Sequence, residues 1–324
     1  MDNHARPIVV ASACLEFDAC RYNGERIPFD FLAELLEHVD VVRTCPEVEI
    51  GLGTPRDPIR LVRASRGPRL VQPSTGTDVT VKMKKFSKAF LADRSIDGFI
   101  LKSRSPSCGT GGVKIYDEAD RPSVMTHGPG LFADAVLQSF PDAAIEDEGR
   151  LRNYRIREHF LTKLFALSEL RRVAAAGRIA GLVDFHSRYK LILMAYNQTA
   201  MRELGRVVAN PSRRPFPELI SDYRAGLTRA FQRVPGTGAV VNALEHAWGY
   251  VSDRLAASER AYYRRQVERY RTGRMPVSAP LAVIETSLHR FDVEYLLGQA
   301  LFHPYPDALR SVADSGKGRS RKRR

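Results

Sequence analysis

The sequence contains no long apolar run and no recognisable nucleotide-binding loop. None of its apolar segments reaches the about 18 residues that a membrane helix needs, so we expect no membrane span. A basic region followed by an apolar stretch and a cleavage site is also absent, which predicts a cytoplasmic protein. The chain has no Walker A sequence and no GxGxxG after a predicted strand, so we expect no use of ATP or NAD. Oligomeric state is not indicated.

Cysteine is scarce and confined to one part of the chain. All four cysteines, Cys14, Cys20, Cys45 and Cys108, lie within the first 108 residues. In a reducing cytosol such a set indicates metal binding or catalysis rather than disulfides. The CxxC pairs of zinc sites and the closely spaced cysteines of ferredoxins are both missing. Spacing alone therefore leaves open small buried residues and a structural zinc site.

Acidic residues are few in the second half of the chain. Residues 1–150 hold 19 Lys and Arg against 22 Asp and Glu, whereas residues 151–324 hold 31 against 15. The net charge of +13 therefore comes entirely from the second half, which carries +16. This asymmetry predicts a polyanionic partner, with a merely basic soluble domain as the alternative.

Short β-branched runs alternate with helical patterns in the first half. The predicted elements are strands at Pro7–Cys14, Val39–Cys45 and Phe99–Ser103, and helices at Phe29–His38 and Thr77–Arg94. This alternation predicts an α/β domain over residues 1–148, with a Rossmann-like parallel sheet. Because the carboxyl ends of parallel strands share one edge, we expect Cys14, Cys45 and Cys108 to meet there.

Beyond the acidic segment Asp142–Arg150 the pattern becomes helical. Helices are predicted over Asn153–Ala176, Leu182–Leu204, Pro217–Val234, Ala239–Arg271 and Pro280–Phe302. We therefore expect an all-α domain over residues 149–313, followed by a disordered basic tail over residues 314–324.

The residues that flank three of the cysteines carry a resemblance. SACLEFDACRYNG, CPEVEIGLGTPR and LKSRSPSCGTGG, in this order and spacing, resemble the motifs of the thiouracil desulfurase family over about residues 7–150. The remainder, from RNYRIREHFLTKLFALSELRR to FDVEYLLGQALFHPYP, is similar to the YbgA-type helical domain often joined to it. The joined architecture resembles that of tRNA 4-thiouridine desulfidases, whose helical domain is thought to hold the tRNA.

The resemblance implies a 4Fe–4S cluster with Cys14, Cys45 and Cys108 as ligands, which leaves one iron open to the sulfur of a thiolated pyrimidine. Addition of water to the polarised carbon would release that sulfur as sulfide, without net electron transfer. Glu47 matches the glutamate of the family motif and is expected to act as general base and acid. Ser105 matches its serine and is expected to hydrogen-bond the substrate or a cluster sulfur.

Other residues lie beside these motifs. Cys20 occupies a position where many members of the family have an aliphatic residue, and we predict a packing role for it. Arg56, Lys102 and Arg104 are candidates for contact with a phosphate of the nucleotide, with solvated charge as the alternative.

Aromatic and basic residues are interleaved in the segment AYYRRQVERYRTGR. Arginines neutralise phosphates and aromatic rings stack on exposed bases, so this segment is a candidate RNA contact. Its candidate residues are Tyr263, Arg264, Arg265, Tyr270 and Arg271. The alternative is an amphipathic helix with buried tyrosines and solvated arginines.

Together these features predict a tRNA 4-thiouridine desulfidase that converts thiouridine to uridine. One alternative is a desulfidase of free thiouracil or thio-UMP. Another is an iron–sulfur regulator that binds nucleic acid without catalysis. The +16 charge of the second half argues against a small-molecule substrate, which needs no such surface.

Overall fold

The structure is a computed structural model that describes residues 4–65, 67–118 and 123–310. The predicted basic tail over residues 314–324 lies outside the described residues. Within the described part of the chain, no helix combines the length and the apolar character needed to span a membrane.

The chain divides into two compact units. One ends at Ser168 and also includes residues 308–310, and the other spans Glu169–Asp307. The boundary predicted at residue 148 precedes this division, because the first turns of a long helix pack with the first unit.

The first unit combines strands with helices. Its described elements are, in chain order, β1 (Ile8–Ser12), α1 (Asp30–Leu35), β2 (Asp40–Thr44), α2 (Pro46–Glu49), β3 (Arg60–Val62), β4 (Arg69–Gln72), β5 (Thr77–Asp78), α3 (Thr80–Leu91), β6 (Gly98–Leu101), β7 (Val113–Tyr116), β8 (Val124–Gly128), α4 (Leu131–Ser139), β9 (Ala144–Asp147) and the beginning of α5 (Tyr154–Ala176).

A parallel sheet of four strands, in the order β2-β1-β6-β9, forms the centre of this unit. The central strand β1 contributes Val9, Val10 and Ala11, which are completely buried. Such apolar strands are typical of parallel sheets that are covered on both faces. The predicted α/β domain with a parallel sheet is confirmed.

Helices α3 and α4 enclose the core beside this sheet. The Phe132 ring of α4 lies 6.0 Å from the ring of Phe86 and 5.9 Å from that of Phe90, both on α3. Phe99 of β6 lies 5.3 Å from Phe140 in the same way. Each such aromatic side chain contributes about 1.5–3 kcal/mol when it is fully buried.

A second sheet, which the apolar pattern of the sequence did not predict, has five strands in the order β5-β4-β3-β7-β8. Only the β3–β7 pair is parallel, and the other pairs are antiparallel. Its strands are short and β8 is largely exposed, so they lack the long apolar runs that predicted the first sheet.

The second unit is helical, as predicted. It contains the end of α5 and, in order, α6 (Ile179–Ala209), α7 (Phe216–Ala230), α8 (Thr237–Trp248), α9 (Ala257–Arg271), α10 (Ser278–Arg290) and α11 (Glu294–Leu297).

Two predicted helices are each divided in the structure. The predicted helix Ala239–Arg271 consists of α8 and α9, and Pro280–Phe302 consists of α10 and α11. The carboxylate of Glu259 accepts the Ala256 N–H at 2.7 Å and so caps the beginning of α9. Apolar periodicity continues on both sides of these breaks, so it did not reveal them.

Glu169 holds a buried ion-pair network in the second unit. Its carboxylate, 6 % exposed, accepts hydrogen bonds from Arg172 at 2.6 Å and from Arg188 at 2.7 Å. Burial opposes its charge, but the two guanidinium groups outweigh burial and hold the pKa of Glu169 below its usual value. Its ionised form therefore favours folding above the unfolded pKa of about 4.3, and this contribution is lost as the pH falls through the lower, folded-state pKa.

We expect Glu169→Gln to destabilise the protein by about 1–3 kcal/mol at pH 7, because two guanidinium groups lose their charged acceptor. Thermal unfolding at a series of pH values should show this difference shrinking as the pH falls below about 4. Glu203→Gln is the control, because Glu203 is 46 % exposed and lies 3.5 Å from Arg229, so little stability should be lost. Equal losses of stability in both variants would contradict a stabilising role of the Glu169 ion pairs.

Candidate functional site

Two of the predicted cysteines lie side by side at the carboxyl edge of the parallel sheet. Ser12 of β1 pairs with Thr44 of β2, and the Ala13 N–H donates to the Thr44 carbonyl at 2.8 Å just beyond that pair. Cys14 and Cys45 are the next residues along each chain segment, and Cys45 is the N-cap of the short helix α2. Parallel register therefore brings together residues that are distant in sequence.

The loop after β6 brings Cys108 to the same edge. The Lys102 N–H at the start of this loop donates to Ser12 Oγ at 2.9 Å, and the Ser12 hydroxyl lowers the pKa of the Cys108 thiol, against the larger effect of burial. Farther along the loop, the Ser107 carbonyl accepts the N–H groups of Phe132 and Ala133 at the start of α4. We call residues 102–112 the Cys108 loop. It is held to β1 at its first residue and to α4 at the residue before Cys108.

Cys20, for which a packing role was predicted, is buried beside the same site. Its side chain is 9 % exposed, and its thiol interacts electrostatically with the thiols of both Cys14 and Cys45. The Cys45 thiol in turn lies 3.8 Å from the Cys20 carbonyl oxygen. We call Cys14, Cys20, Cys45 and Cys108 the thiol site. All four are free cysteines.

The environment of the thiol site disfavours bare thiolates. Hydrogen bonding with Cys14, together with burial and nearby negative charge, raises the pKa of Cys20 to about 11, although the Cys45 thiol opposes this. The hydrogen bond with Cys20 and burial raise the pKa of Cys45, and burial raises that of Cys108. A bound metal centre supplies the positive charge that such thiolates need.

Among the described residues, no three His, Cys, Asp or Glu side chains are close enough together to hold a single metal ion. A cluster of several irons is wider than one ion, and its thiolate ligands are correspondingly farther apart.

An ion pair between Glu47 and Arg56 adjoins the thiol site. Arg56 donates to Glu47 Oε2 from Nε at 2.9 Å and from Nη2 at 2.6 Å, and the two side chains are 4 % and 12 % exposed. Its third nitrogen, Nη1, donates to the carbonyls of Cys20 at 3.0 Å and Gly53 at 2.8 Å. The guanidinium is committed to these groups, so its observed role is to orient Glu47 and not to meet a phosphate.

Ser105 links Glu47 to the Cys108 loop. Its hydroxyl accepts the N–H groups of Ser107 at 3.2 Å and Cys108 at 3.1 Å, and lies 3.4 Å from Glu47 Oε1. A serine hydroxyl has one proton and two lone pairs, so these contacts use its full capacity. The geometry thus gives Ser105 a positioning role, holding both the loop and the carboxylate.

Lys102 and Arg104, the other two candidate phosphate ligands, differ from each other. Lys102 donates to Glu148 Oε1 at 2.5 Å, and Glu148 also accepts the N–H and the hydroxyl of Ser103 at 2.7 Å. Glu148 therefore fixes the beginning of the loop with its carboxylate. Arg104 is exposed and adopts a positive φ of 57° two residues after Lys102, so it alone of the three remains directed to solvent.

The predicted RNA-contact segment lies on α9, and one of its aromatic residues was assigned wrongly. Tyr263 is fully buried and stacks on Trp248 with ring centroids 3.9 Å apart, so it cannot stack on a base. Tyr262 is the exposed ring, at 47 %, with the guanidinium of Arg265 5.6 Å from its centroid. The arginines Arg264, Arg265 and Arg271 are exposed and Tyr270 is half-buried. The sequence alone did not show which of the two adjacent tyrosines faces the core, because the orientation of the helix about its axis was unknown.

Gly130 is expected to be essential for the Cys108 loop. A Cβ atom at Gly130 would lie 2.5 Å from the Ser107 carbonyl oxygen and 2.8 Å from that of Ser105, both backbone atoms. Gly130→Ala should therefore cost about 1–3 kcal/mol in stability and displace the loop. Gly111→Ala is the control, since a Cβ there meets nothing within 4 Å. Thermal unfolding and iron content after anaerobic reconstitution should both fall only for Gly130→Ala.

Known protein families match both parts of the chain. The family model described as 2-thiouracil desulfurase matches residues 9–148, and that of a protein of unknown function, DUF1722, matches residues 190–306. The chain is 30 % identical over 157 residues to the uncharacterized protein YbgA of Escherichia coli (strain K12), an alignment that covers 48 % of this chain and 93 % of that relative.

Two further similarities involve smaller parts of the chain. It is 31 % identical over 112 residues to the uncharacterized protein YbbK of Bacillus subtilis (strain 168), which covers 32 % of this chain and 74 % of that relative. A solved [4Fe-4S]-dependent thiouracil desulfidase, TudS, shares 28 % identity with a TM-score of 0.36, over 45 % of this chain and 93 % of that one. The chain therefore joins a domain of the 2-thiouracil desulfurase family, over residues 9–148, to a YbgA-type DUF1722 domain over residues 190–306.

Proposed function

We propose that this protein is a cytoplasmic tRNA 4-thiouridine desulfidase, which replaces the sulfur of a thiouridine with oxygen from water. The proposed cofactor is a 4Fe–4S cluster held by Cys14, Cys45 and Cys108. One observation supports the proposal: in a desulfurase domain these thiols follow strands that share one sheet edge, next to an oriented and largely buried carboxylate, Glu47.

The donor set fits such a cluster. Thiolates are the soft ligands that iron–sulfur clusters use. The hydroxyls of Thr44 and Ser107, each directly before a proposed ligand, are buried and have no hydrogen-bond partner among the described residues. Buried hydroxyls are normally satisfied, and the sulfur atoms of a bound cluster would accept from them. The cluster would supply a soft Lewis-acidic iron for the thiocarbonyl sulfur.

The protein's own residues would then handle water and protons. Arg56 holds one oxygen of Glu47, which leaves Oε1 to accept a proton from the attacking water. Ser105 keeps this oxygen beside the Cys108 loop. The products are a carbonyl and sulfide, so oxygen and sulfur exchange places without net transfer of electrons.

The substrate class can be tested directly. Anaerobically reconstituted protein, incubated with bulk tRNA and followed by nucleoside analysis, should convert 4-thiouridine to an equal amount of uridine. Turnover of free thiouracil or thio-UMP without loss of 4-thiouridine from tRNA would favour the small-molecule alternative. Absence of turnover with every one of these substrates would favour the non-catalytic regulator.

Glu47→Gln should lower turnover by roughly 10²–10⁴-fold, because the amide cannot take up the water proton. Iron and acid-labile sulfide content should stay unchanged, since Glu47 is not a proposed ligand. Glu49→Gln is the matched control, because Glu49 is exposed on the same short helix. Retention of full activity by Glu47→Gln would remove Glu47 from the mechanism.

The exposed side of α9 is the proposed tRNA contact. Tyr262 offers an exposed ring for stacking on an unpaired base, and Arg264 and Arg265 offer cations for phosphates. The basic excess of the chain lies entirely in this half of the sequence, which supports a polyanionic substrate over a free base.

The double variant Arg264→Gln, Arg265→Gln should bind tRNA more weakly and lower the salt dependence of binding by up to about 2 in slope. Its turnover of free 4-thiouridine should be unchanged. Arg290→Gln is the control, because Arg290 is similarly exposed but already pairs with Glu259 at 2.6 Å. Equal loss of tRNA binding in both variants, measured by filter binding over a salt series, would exclude a specific contact by α9.

A further inference from the structure

Cys20 differs from a packing cysteine in what surrounds it. A packing thiol contacts apolar side chains, whereas the Cys20 thiol interacts electrostatically with two of the three proposed ligands, Cys14 and Cys45. The Cys45 thiol also lies 3.8 Å from the Cys20 carbonyl oxygen. Its backbone is also part of the site, because the Cys20 carbonyl accepts from Arg56 Nη1 at 3.0 Å. One arginine therefore fixes both Glu47 and the peptide of Cys20.

Cys20 is also held differently from the three proposed ligands. Cys14 and Cys45 follow paired strands, and the Cys108 loop is held to both β1 and α4. Cys20 lies in irregular structure, with its N–H bound locally to the Asp18 carbonyl at 2.8 Å, and the following residues 22–24 are exposed. Because Cys20 lies outside the paired strands, a small displacement of its side chain breaks no strand pair.

We propose that Cys20 is an exchangeable fourth ligand of the proposed cluster, which binds the remaining iron when no substrate is present and is displaced by the thiocarbonyl sulfur. The inference rests on the proposed function. Cys20 releases its thiol proton when it binds iron and takes up a proton when it leaves. No electron is transferred in either step. A soft thiolate and a soft thiocarbonyl sulfur compete for the same soft metal.

This exchange would protect the site between turnovers. An iron with only three sulfide neighbours and no protein ligand is the atom that oxidants remove most readily. A thiolate on that iron would keep the four-iron cluster intact until a thiolated base arrives. The segment that carries Cys20 adjoins Glu47 through Arg56, so displacement of the thiol occurs beside the proposed proton acceptor.

The test compares full-length wild-type protein with Cys20→Ala and Cys20→Ser, all reconstituted anaerobically with iron and sulfide. Each sample is treated with limiting ferricyanide, and the conversion of 4Fe–4S to 3Fe–4S clusters is followed by electron paramagnetic resonance. We expect all three proteins to start with the same iron content. Both variants should convert about 10- to 100-fold faster than the wild type, the range in which loss of a supporting group weakens metal binding.

Two results would contradict the proposed exchange of Cys20 on the iron. Equal conversion rates in wild type and Cys20→Ala would mean that Cys20 does not bind the iron. Complete loss of the cluster from both variants would make Cys20 a permanent ligand. Cys20→Ser keeps the size and polarity of the side chain, so a folding defect in the alanine variant alone would not affect the comparison.

Different results would contradict the proposed function. Wild-type protein that takes up no iron–sulfur cluster, or a Cys45→Ala variant that keeps a complete one, would contradict the proposed cofactor itself. A normal cluster in the wild type, lost on Cys45→Ala, with equal conversion rates for Cys20→Ala, would contradict only the exchange.

Discussion

Parallel pairing of β1 with β2 on one side and β6 on the other is the constraint on which the site depends. It gives three strands a common carboxyl edge, so the segments that follow them converge although they are far apart in the sequence. The register matters as much as the pairing, because a slip by one residue turns every following side chain to the opposite face. The buried apolar side chains of β1 hold this register.

Two buried carboxylates stabilise the arrangement at this edge. Glu47 is paired with Arg56, and Glu148 is paired with Lys102 while it also accepts two hydrogen bonds from Ser103. Burial opposes the ionisation of Glu148, but Lys102 and Ser103 outweigh it and hold its pKa below the usual value. Charges in such surroundings are tolerated only when they are paired, so each pair fixes the backbone that carries it. The reacting groups are thereby positioned before a substrate arrives.

The helical unit is stabilised by different interactions. Its helices are held by buried aromatic contacts such as Tyr263 on Trp248 and by the Glu169 network, whereas its exposed side carries the arginines of α9. Burial of one tyrosine and exposure of its neighbour follow from the helical period, which turns adjacent residues about 100° apart. A single helix can thus supply both core packing and a basic surface.

The sequence by itself determined the α/β and all-α division, the strands that precede Cys14 and Cys45, and the motifs around Cys108, because apolar periodicity and local spacing are encoded residue by residue. Only the tertiary structure decided that Cys20 joins the thiol site, that Arg56 is committed to Glu47, and that Tyr262 is exposed in place of Tyr263. The short strands of the second sheet were likewise missed. Each of these depends on a partner from another element or on the exact phase of a helix, and neither is contained in a local pattern of residues.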